Sequence, residues 1–219
     1  MFMKKTIAIM LVALSASFGA FAGEFVGSVG VMSDYVFRGE SQSDEKVAVT
    51  GDVGYTAGGF SAGVVATSVD KAVGDDRVEL DGLVSYRFAL NKTFSADVGA
   101  IYYAYPGSSS MNTTEVNAAL NMSLGKLGTQ LKTSYSNDYF NDGNSWYTEV
   151  NGSYGLPYQT ALVAHIGYTD LDNDSTTDYR IGLVKQFGKN VVGEVAYVDT
   201  NVNTAWSDSR WTVGAKYQF

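Results

Sequence analysis

The sequence ends with Arg210-Trp211-Thr212-Val213-Gly214-Ala215-Lys216-Tyr217-Gln218-Phe219, a stretch in which polar and apolar side chains alternate. Side chains of a β-strand point to opposite faces in turn, so the apolar residues from Trp211 to Phe219 share one face. A strand of a soluble sandwich alternates too, but here each face persists for about ten residues, the length that crosses a tilted bilayer span. The stretch therefore predicts a transmembrane β-strand.

The same alternation recurs from residue 23 onward and predicts twelve strands. They are placed at 24–35, 46–57, 59–68, 77–88, 92–104, 113–124, 126–137, 145–156, 158–169, 178–188, 190–199 and 209–219. Every second connection is a tight turn, and the others are longer and polar: 36–45, 69–76, 105–112, 138–144, 170–177 and 200–208. Outer-membrane barrels segregate their connections in this way. We predict an all-β fold, a closed antiparallel transmembrane barrel forming one domain over residues 23–219, with both termini in the periplasm.

Aromatic residues on the apolar phase fall into two groups, as the two interfacial girdles of a barrel would require. One group lies beside the tight turns: Tyr55, Phe60, Phe88, Phe94, Tyr154, Tyr158, Phe187 and Phe219. The other lies beside the longer loops: Tyr102, Tyr135, Trp146, Tyr168, Tyr179, Tyr197 and Trp211. Lys185 is the charged exception on this phase, close enough to the turn at Gly188 for its ammonium to reach the headgroups.

The opposite phase carries the ionisable side chains, which a barrel interior can solvate or pair but a packed sandwich core would leave unpaired. They are Asp34, Asp52, Glu79, Asp81, Arg87, Asp97, Glu115, Lys132, Glu149, His165, Arg180, Glu194, Arg210 and Lys216. Setting His165 aside, eight are acidic and five basic, which predicts a mild preference of the lumen for cations.

The first 22 residues have the layout of a secretory signal peptide. Lys4 and Lys5 precede the apolar run 7–18, and small residues frame Phe21 at a predicted cleavage site after Ala22. The alternative, an uncleaved anchor, needs about 20 apolar residues, and this run is shorter. Loss of the two lysines changes the net charge from −8 to −10. We expect export to the periplasm and insertion into the outer membrane.

Composition and motifs limit the partners and the catalytic activities that the sequence supports. The acidic balance argues against nucleic acid as a partner, and no cysteine is present. His165, the only histidine, could act as the base of a membrane-embedded hydrolase. This remains a minor hypothesis, because no G-x-S-x-G segment supplies a nucleophile. No cofactor is expected, and we predict that the protein is not an enzyme.

Alternate aspartates in the fifth long loop resemble part of a calcium loop: Asp170, Asp172 and Asp174, continued by Asp178. The pattern departs where Ser175 replaces the loop glycine and Ile181 replaces the bidentate glutamate. An acidic, solvated loop is the favoured interpretation, and weak binding of a divalent cation is the alternative.

The end of the first predicted strand reads Ser33-Asp34-Tyr35-Val36-Phe37-Arg38-Gly39-Glu40-Ser41-Gln42-Ser43. It resembles the characteristic segment of the TorF-type porins, a family also called Gcw_chp, with matches at Ser33, Asp34, Tyr35, Phe37, Arg38, Gly39, Ser41 and Gln42. The resemblance implies an outer-membrane barrel with a pore function and no catalytic residues. From the residues themselves, Asp34 and Arg38 are predicted to pair near the pore mouth, as a constriction or as a structural tie between loop and wall.

The terminal residues Tyr217 and Phe219 resemble the signal by which the barrel-assembly machinery recognises a strand. Expected partners are this machinery, outer-membrane lipid and small solutes, and the oligomeric state stays open. The expected function is a porin-like channel for passive diffusion of small solutes or ions. The alternative is a barrel without an open pore that acts as a structural or adhesive surface protein.

Overall fold

The computed structural model describes residues 23–70, 77–172 and 174–219, so the predicted signal peptide lies outside the described residues. Fourteen strands are present in this part of the chain. They are β1 (Glu24–Met32), β2 (Val36–Phe37), β3 (Glu40–Ser41), β4 (Ala48–Ala57), β5 (Phe60–Ser68), β6 (Val78–Ala89), β7 (Phe94–Ala104), β8 (Thr113–Leu124), β9 (Leu127–Ser136), β10 (Ser145–Leu156), β11 (Thr160–Leu171), β12 (Ser175–Phe187), β13 (Val191–Thr200) and β14 (Arg210–Gln218). A 3₁₀ turn, Ser109–Met111, precedes β8.

Twelve of these strands form one closed antiparallel barrel, which confirms the predicted fold class. The barrel closes where β14 pairs with β1, with Val29 opposite Tyr217. Gly27 and Phe219 exchange two backbone hydrogen bonds of 3.2 and 3.0 Å, so the ladder continues to the last residue. Closure pairs every strand edge, which satisfies the backbone polar groups without water. The described residues contain no helix that is long and apolar enough to cross a membrane.

The outer face of the barrel exposes the apolar phase of the strands. Valine and leucine side chains such as Val64, Val84 and Leu120 form its middle, each about half exposed. Exposed aromatic residues lie at both ends, for example Tyr154 and Phe187 beside tight turns and Trp146 and Trp211 beside longer loops. This arrangement suits a bilayer, because the apolar middle faces hydrocarbon and the amphipathic rings lie at the headgroups.

The two ends of the barrel differ. We call the end with the tight connections the turn end and the other the loop end. Lys185 lies on the outer face near the turn end, where its ammonium donates a hydrogen bond of 3.1 Å to the carbonyl of Tyr158. The charge therefore points away from the apolar middle, as its long side chain permits.

Two strand boundaries differ from the sequence-based prediction by three residues, and the others differ by two or fewer. β1 ends at Met32 and not at residue 35, because the chain then turns inward and the backbone amide of Tyr35 binds the hydroxyl of Ser43 at 2.9 Å. β12 begins at Ser175, before the predicted residue 178, since Thr176 and Thr177 pair with β11. The connection between β11 and β12 is thereby shortened, and the Leu171 amide donates a hydrogen bond of 2.8 Å to the Asp174 carbonyl.

Candidate functional site

The inner face of the barrel carries charged side chains that pair across strands. Four of these ion pairs, which we call the ion-pair belt, lie around the lumen: Arg87–Asp97, Lys132–Glu149, Arg180–Glu194 and Lys216–Asp52. Arg87 binds both carboxylate oxygens of Asp97, at 2.6 and 2.7 Å. Lys216 of β14 reaches Asp52 of β4 across the intervening β1, at 3.6 Å, so both side chains point into the lumen.

Solvent reaches the ion-pair belt. The side chains of Lys216 and Arg87 are 29% and 26% exposed, although they lie inside a closed barrel. Toward the turn end, lumen-facing residues such as Asn121 and Gln186 are also only partly buried. The part of the lumen between the ion-pair belt and the turn end is therefore a polar, water-accessible space.

His165 belongs to a hydrogen-bonded group beside the belt, directly across from Arg180 on the neighbouring strand. Its Nε2 lies 2.7 Å from Asp178, and its Nδ1 lies 2.8 Å from the side-chain oxygen of Asn151. The hydroxyl of Tyr147 lies 3.0 Å from the same Nε2. Both ring nitrogens are thus engaged, and the described contacts of His165 include no serine. The residues needed for a nucleophilic hydrolase are not brought together here.

Asp178 was not expected to face the lumen, because it was grouped from sequence with the aspartates of the fifth loop although it begins a predicted strand. It is buried in β12, on the same face as Arg180. The alternation of Thr176, Asp178 and Arg180 was the available signal, but the run of polar residues from 172 to 178 resembles a loop.

The loop end of the lumen is crossed by the first external loop, residues 33–47, which we call L1. Its small hairpin, β2 and β3, places Gly39 against Thr200 of β13, where a Cβ atom would clash. Gly39 also has φ +85°, a conformation suited to glycine. Further backbone contact comes from the Ser41 amide, which donates to the Trp206 carbonyl at 2.9 Å. L1 is therefore fixed against the β13–β14 side of the mouth.

Arg38, at the tip of L1, reaches the opposite wall. Its Nη2 donates to Glu115 of β8 at 2.6 Å, and the side chains of Arg38 and Glu115 are 9% and 2% exposed. The guanidinium lies 3.9 Å from the ring centre of Tyr147 and 5.0 Å from that of Tyr139. Because β8 lies five strands from β1 around the barrel, this contact spans the bore.

The predicted pair of Asp34 with Arg38 is wrong. Asp34 accepts bonds from Ser41 at 2.5 Å and Ser43 at 2.8 Å, and it pairs with Arg210 at 2.8 Å. Arg38 has φ +48°, and the turn it makes directs its side chain across the lumen, away from Asp34. Asp34 therefore ties the base of L1 to the wall, while Arg38 carries the contact across the mouth.

A second loop, residues 137–144 (L4), meets the tip of L1. The ring of Phe140 lies 6.1 Å from that of Phe37 and 5.8 Å from that of Tyr103, in tilted or edge-to-face geometry. We call the four side chains that meet here the plug: Phe37, Arg38, Tyr139 and Phe140. The buried Ile101, Tyr103 and Tyr105 form a cluster against which Phe37 and Phe140 pack. The plug narrows the lumen at the loop end, and L4 was not expected from sequence to take part.

Two carboxylates beside the plug have no basic partner among the described residues. Glu79 accepts hydrogen bonds from Tyr35, at 2.7 Å, and from Tyr105. Asp81 is 4% exposed, and its Oδ1 has no hydrogen-bond partner. Burial of carboxylates without a counter-charge is costly. The loop end of the lumen therefore carries a surplus of acidic groups.

The aspartates of the suggested calcium loop do not converge. Asp172 accepts a bond of 3.1 Å from the Asn144 amide, and Asp174 caps the amide of Ser175 at 2.7 Å. Asp170 lies exposed at the end of β11, paired with Ser175. Within the described residues no three acidic, histidine or cysteine side chains form a metal cluster. Asp172 and Asp174 instead accept from separate backbone amides, those of Asn144 and Ser175.

A closed twelve-stranded barrel with an apolar outer band and a charged lumen is a porin-like barrel of the outer-membrane type. A family model matches residues 17–217, and the chain belongs to this family, Gcw_chp, described as a bacterial protein of unknown function. No curated protein sequence matches the chain.

Solved structures of outer-membrane channels share the fold. The KdgM porin in complex with disordered oligogalacturonate is 13% identical with TM-score 0.66, covering 90% of this chain and 99% of that chain. The NanC porin is 12% identical with TM-score 0.60, covering 89% and 99%. An outer membrane channel from Pseudomonas putida is 14% identical with TM-score 0.59, covering 91% and 96%. At these identities the likeness establishes the fold alone.

Proposed function

We propose that the protein is an outer-membrane channel through which small solutes or ions pass by passive diffusion. The observation that carries this proposal is the lumen, which is polar and charged and stays partly solvent-exposed from the ion-pair belt to the turn end. A barrel that only anchored loops would gain more from a packed interior, because buried charges are costly to maintain.

The shared fold supports the same proposal. The KdgM and NanC porins are named as porins, and one of them was solved with an oligogalacturonate. The resemblance of the segment 33–43 to TorF-type porins points in the same direction. We extend the pore function, and not the oligosaccharide, to this chain.

Solute uptake into liposomes tests the proposal. Liposomes containing the refolded mature protein are expected to swell in isosmotic solutions of small sugars, more slowly as the sugar becomes larger. Heat-denatured protein in the same liposomes is the control. If the folded barrel permits no more swelling than is seen with empty liposomes, the proposed channel function is contradicted.

One observation favours a second candidate function. L1 and L4 meet across the loop end, so the lumen is narrowed where solutes would enter. A barrel closed in this way would act as a structural or adhesive surface protein, with its loops as the binding surface. The swelling assay separates the two, because only the channel admits sugar.

A further inference from the structure

Arg38 of the plug places its guanidinium in a pocket lined by aromatic rings and a carboxylate. The Arg38 guanidinium lies over the rings of Tyr147 and Tyr139, and its charge is met by Glu115 at 2.6 Å. We call Tyr139, Tyr147 and Glu115 the cage. Aromatic faces and a buried carboxylate together are the chemistry that recognises guanidinium and ammonium groups.

The surroundings of the cage contain more acidic groups than the one carboxylate that pairs with Arg38. Glu115 also accepts a hydrogen bond from Tyr103, at 3.3 Å, and Tyr103 pairs on the neighbouring strand with Asp81. Asp81 and the nearby Glu79 have no basic partner among the described residues, and Oδ1 of Asp81 has no donor. An anion would therefore be disfavoured at this end of the lumen.

Arg38 does not satisfy the cage completely. Its Nη1 is buried without a hydrogen-bond acceptor. Its backbone has φ +48°, a left-handed conformation that residues other than glycine adopt mainly when other contacts hold them there. A free cation carries no such backbone constraint and can orient all its N–H groups. The Arg38 side chain can therefore be exchanged for a better-fitting group.

We propose that the cage is a binding site for solutes carrying a guanidinium or primary ammonium group, which take the place of the Arg38 side chain. Displacing Arg38 breaks its contact with Glu115, so binding also frees the tip of L1 from the far wall. This inference rests on the proposed channel function, because it names the class of solute that the mouth admits.

Calorimetry with methylguanidinium tests the site without any measurement of current. Arg38→Ala protein, folded in detergent, is expected to bind methylguanidinium saturably, and Arg38→Ala combined with Glu115→Gln is expected to lose this binding. Arg87→Ala is the matched control, since it frees the carboxylate of Asp97 but no cation–π contact involves Arg87 among the described residues. We expect binding at least about tenfold weaker there, because the rings are missing.

The inference is overturned if folded Arg38→Ala protein shows no saturable heat, or if it binds the neutral methylurea equally well. Should Arg38→Ala fail to fold alone, methylguanidinium in the refolding buffer is expected to restore the folded, heat-modifiable form. Failure of this rescue would equally overturn the inference. If the protein conducts but Arg38→Ala does not bind methylguanidinium, only the proposed binding site is refuted. If Arg38→Ala binds methylguanidinium but the barrel does not conduct, only the proposed channel function is refuted.

Discussion

Arg38 shows how a charge is kept inside the barrel. Removing a guanidinium from water is costly, and the cost is offset only when a counter-charge and further contacts are well placed. Glu115 supplies the counter-charge at 2.6 Å, and the ring of Tyr147 covers the planar face. The contact joins L1 to the far wall, so the stability of the plug depends on this pair.

Glu115→Gln is expected to destabilise the protein, because it leaves Arg38 buried without its counter-charge. Breaking a buried pair costs about 3–5 kcal/mol, and this is an upper limit here since L1 can withdraw Arg38 into water. Urea unfolding in lipid vesicles measures the change. Glu24→Gln, at the exposed start of β1, is the matched control and is expected to change stability by less than about 0.5 kcal/mol. Equal stability of the two variants would contradict the account.

Tyr139 gives a pH-dependent test of the plug. Burial raises the pKa of its phenol to about 12, although the neighbouring Arg38 charge opposes the shift. An acid whose pKa rises on folding stabilises the folded state below its unfolded pKa of 10.0, and this contribution is lost as the pH rises toward 12. The absorbance difference between wild type and Tyr139→Phe should therefore titrate near pH 12 in folded protein and near pH 10 in urea. A folded-state step near pH 10 would show that Tyr139 is not buried.

Sequence reasoning at this scale assigns faces but not partners. The period of two places Asp34 and Glu115 on the lumen phase, since the phase depends only on local geometry. The partner of Arg38 depends on which strand lies across the bore and on a left-handed turn at Arg38 itself. Neither is visible in a single sequence, and the expected pair with Asp34 was therefore wrong.

At the scale of the elements, twelve strands were predictable because each face persists for about ten residues. The inward course of L1 was not, because its polar composition suits an external loop as well as a plug. Phe37 and Phe140 were weak signals, since apolar side chains in short polar loops need something to pack against. The last strand matters most for assembly, because its end pairs with β1 at Gly27 and closes the barrel.

Phe219→Ala is expected to slow insertion by the barrel-assembly machinery while spontaneous folding in detergent is unchanged. Spontaneous folding is expected to be unchanged because the Phe219 side chain is exposed on the outer face and contributes little packing to the barrel. Insertion rates into vesicles with and without the machinery measure the difference. Phe94→Ala, an exposed outer-face aromatic beside a tight turn, is the control. If both variants slow assisted insertion equally, the terminal residue has no special role.

At the scale of the whole molecule, the lumen carries more negative than positive charge. The structure adds Asp178 and Arg38 to the lumen-facing residues expected from sequence, which gives nine acidic and six basic side chains. The ion-pair belt is balanced, and Arg38 and Arg210 pair with Glu115 and Asp34. The surplus therefore consists of Glu79, Asp81 and Asp178.

We expect a mild preference for cations, because acidic groups near a narrow mouth attract cations and repel anions. The reversal potential in a potassium chloride gradient measures this preference. Glu79→Gln combined with Asp81→Asn is expected to weaken it, because the acidic pair then carries no charge, and Asp199→Asn, at the end of β13, serves as a control in a different part of the wall. A reversal potential that favours anions in the wild type would contradict the charge argument.

The most direct test of the central claim is the current through single molecules of the refolded mature protein in a planar bilayer. We expect stepwise, heat-sensitive currents, larger or more frequent in Arg38→Ala, because that change releases the tip of L1 from Glu115. Bilayers that stay silent with both proteins, while both are folded barrels, would contradict the claim that the lumen conducts.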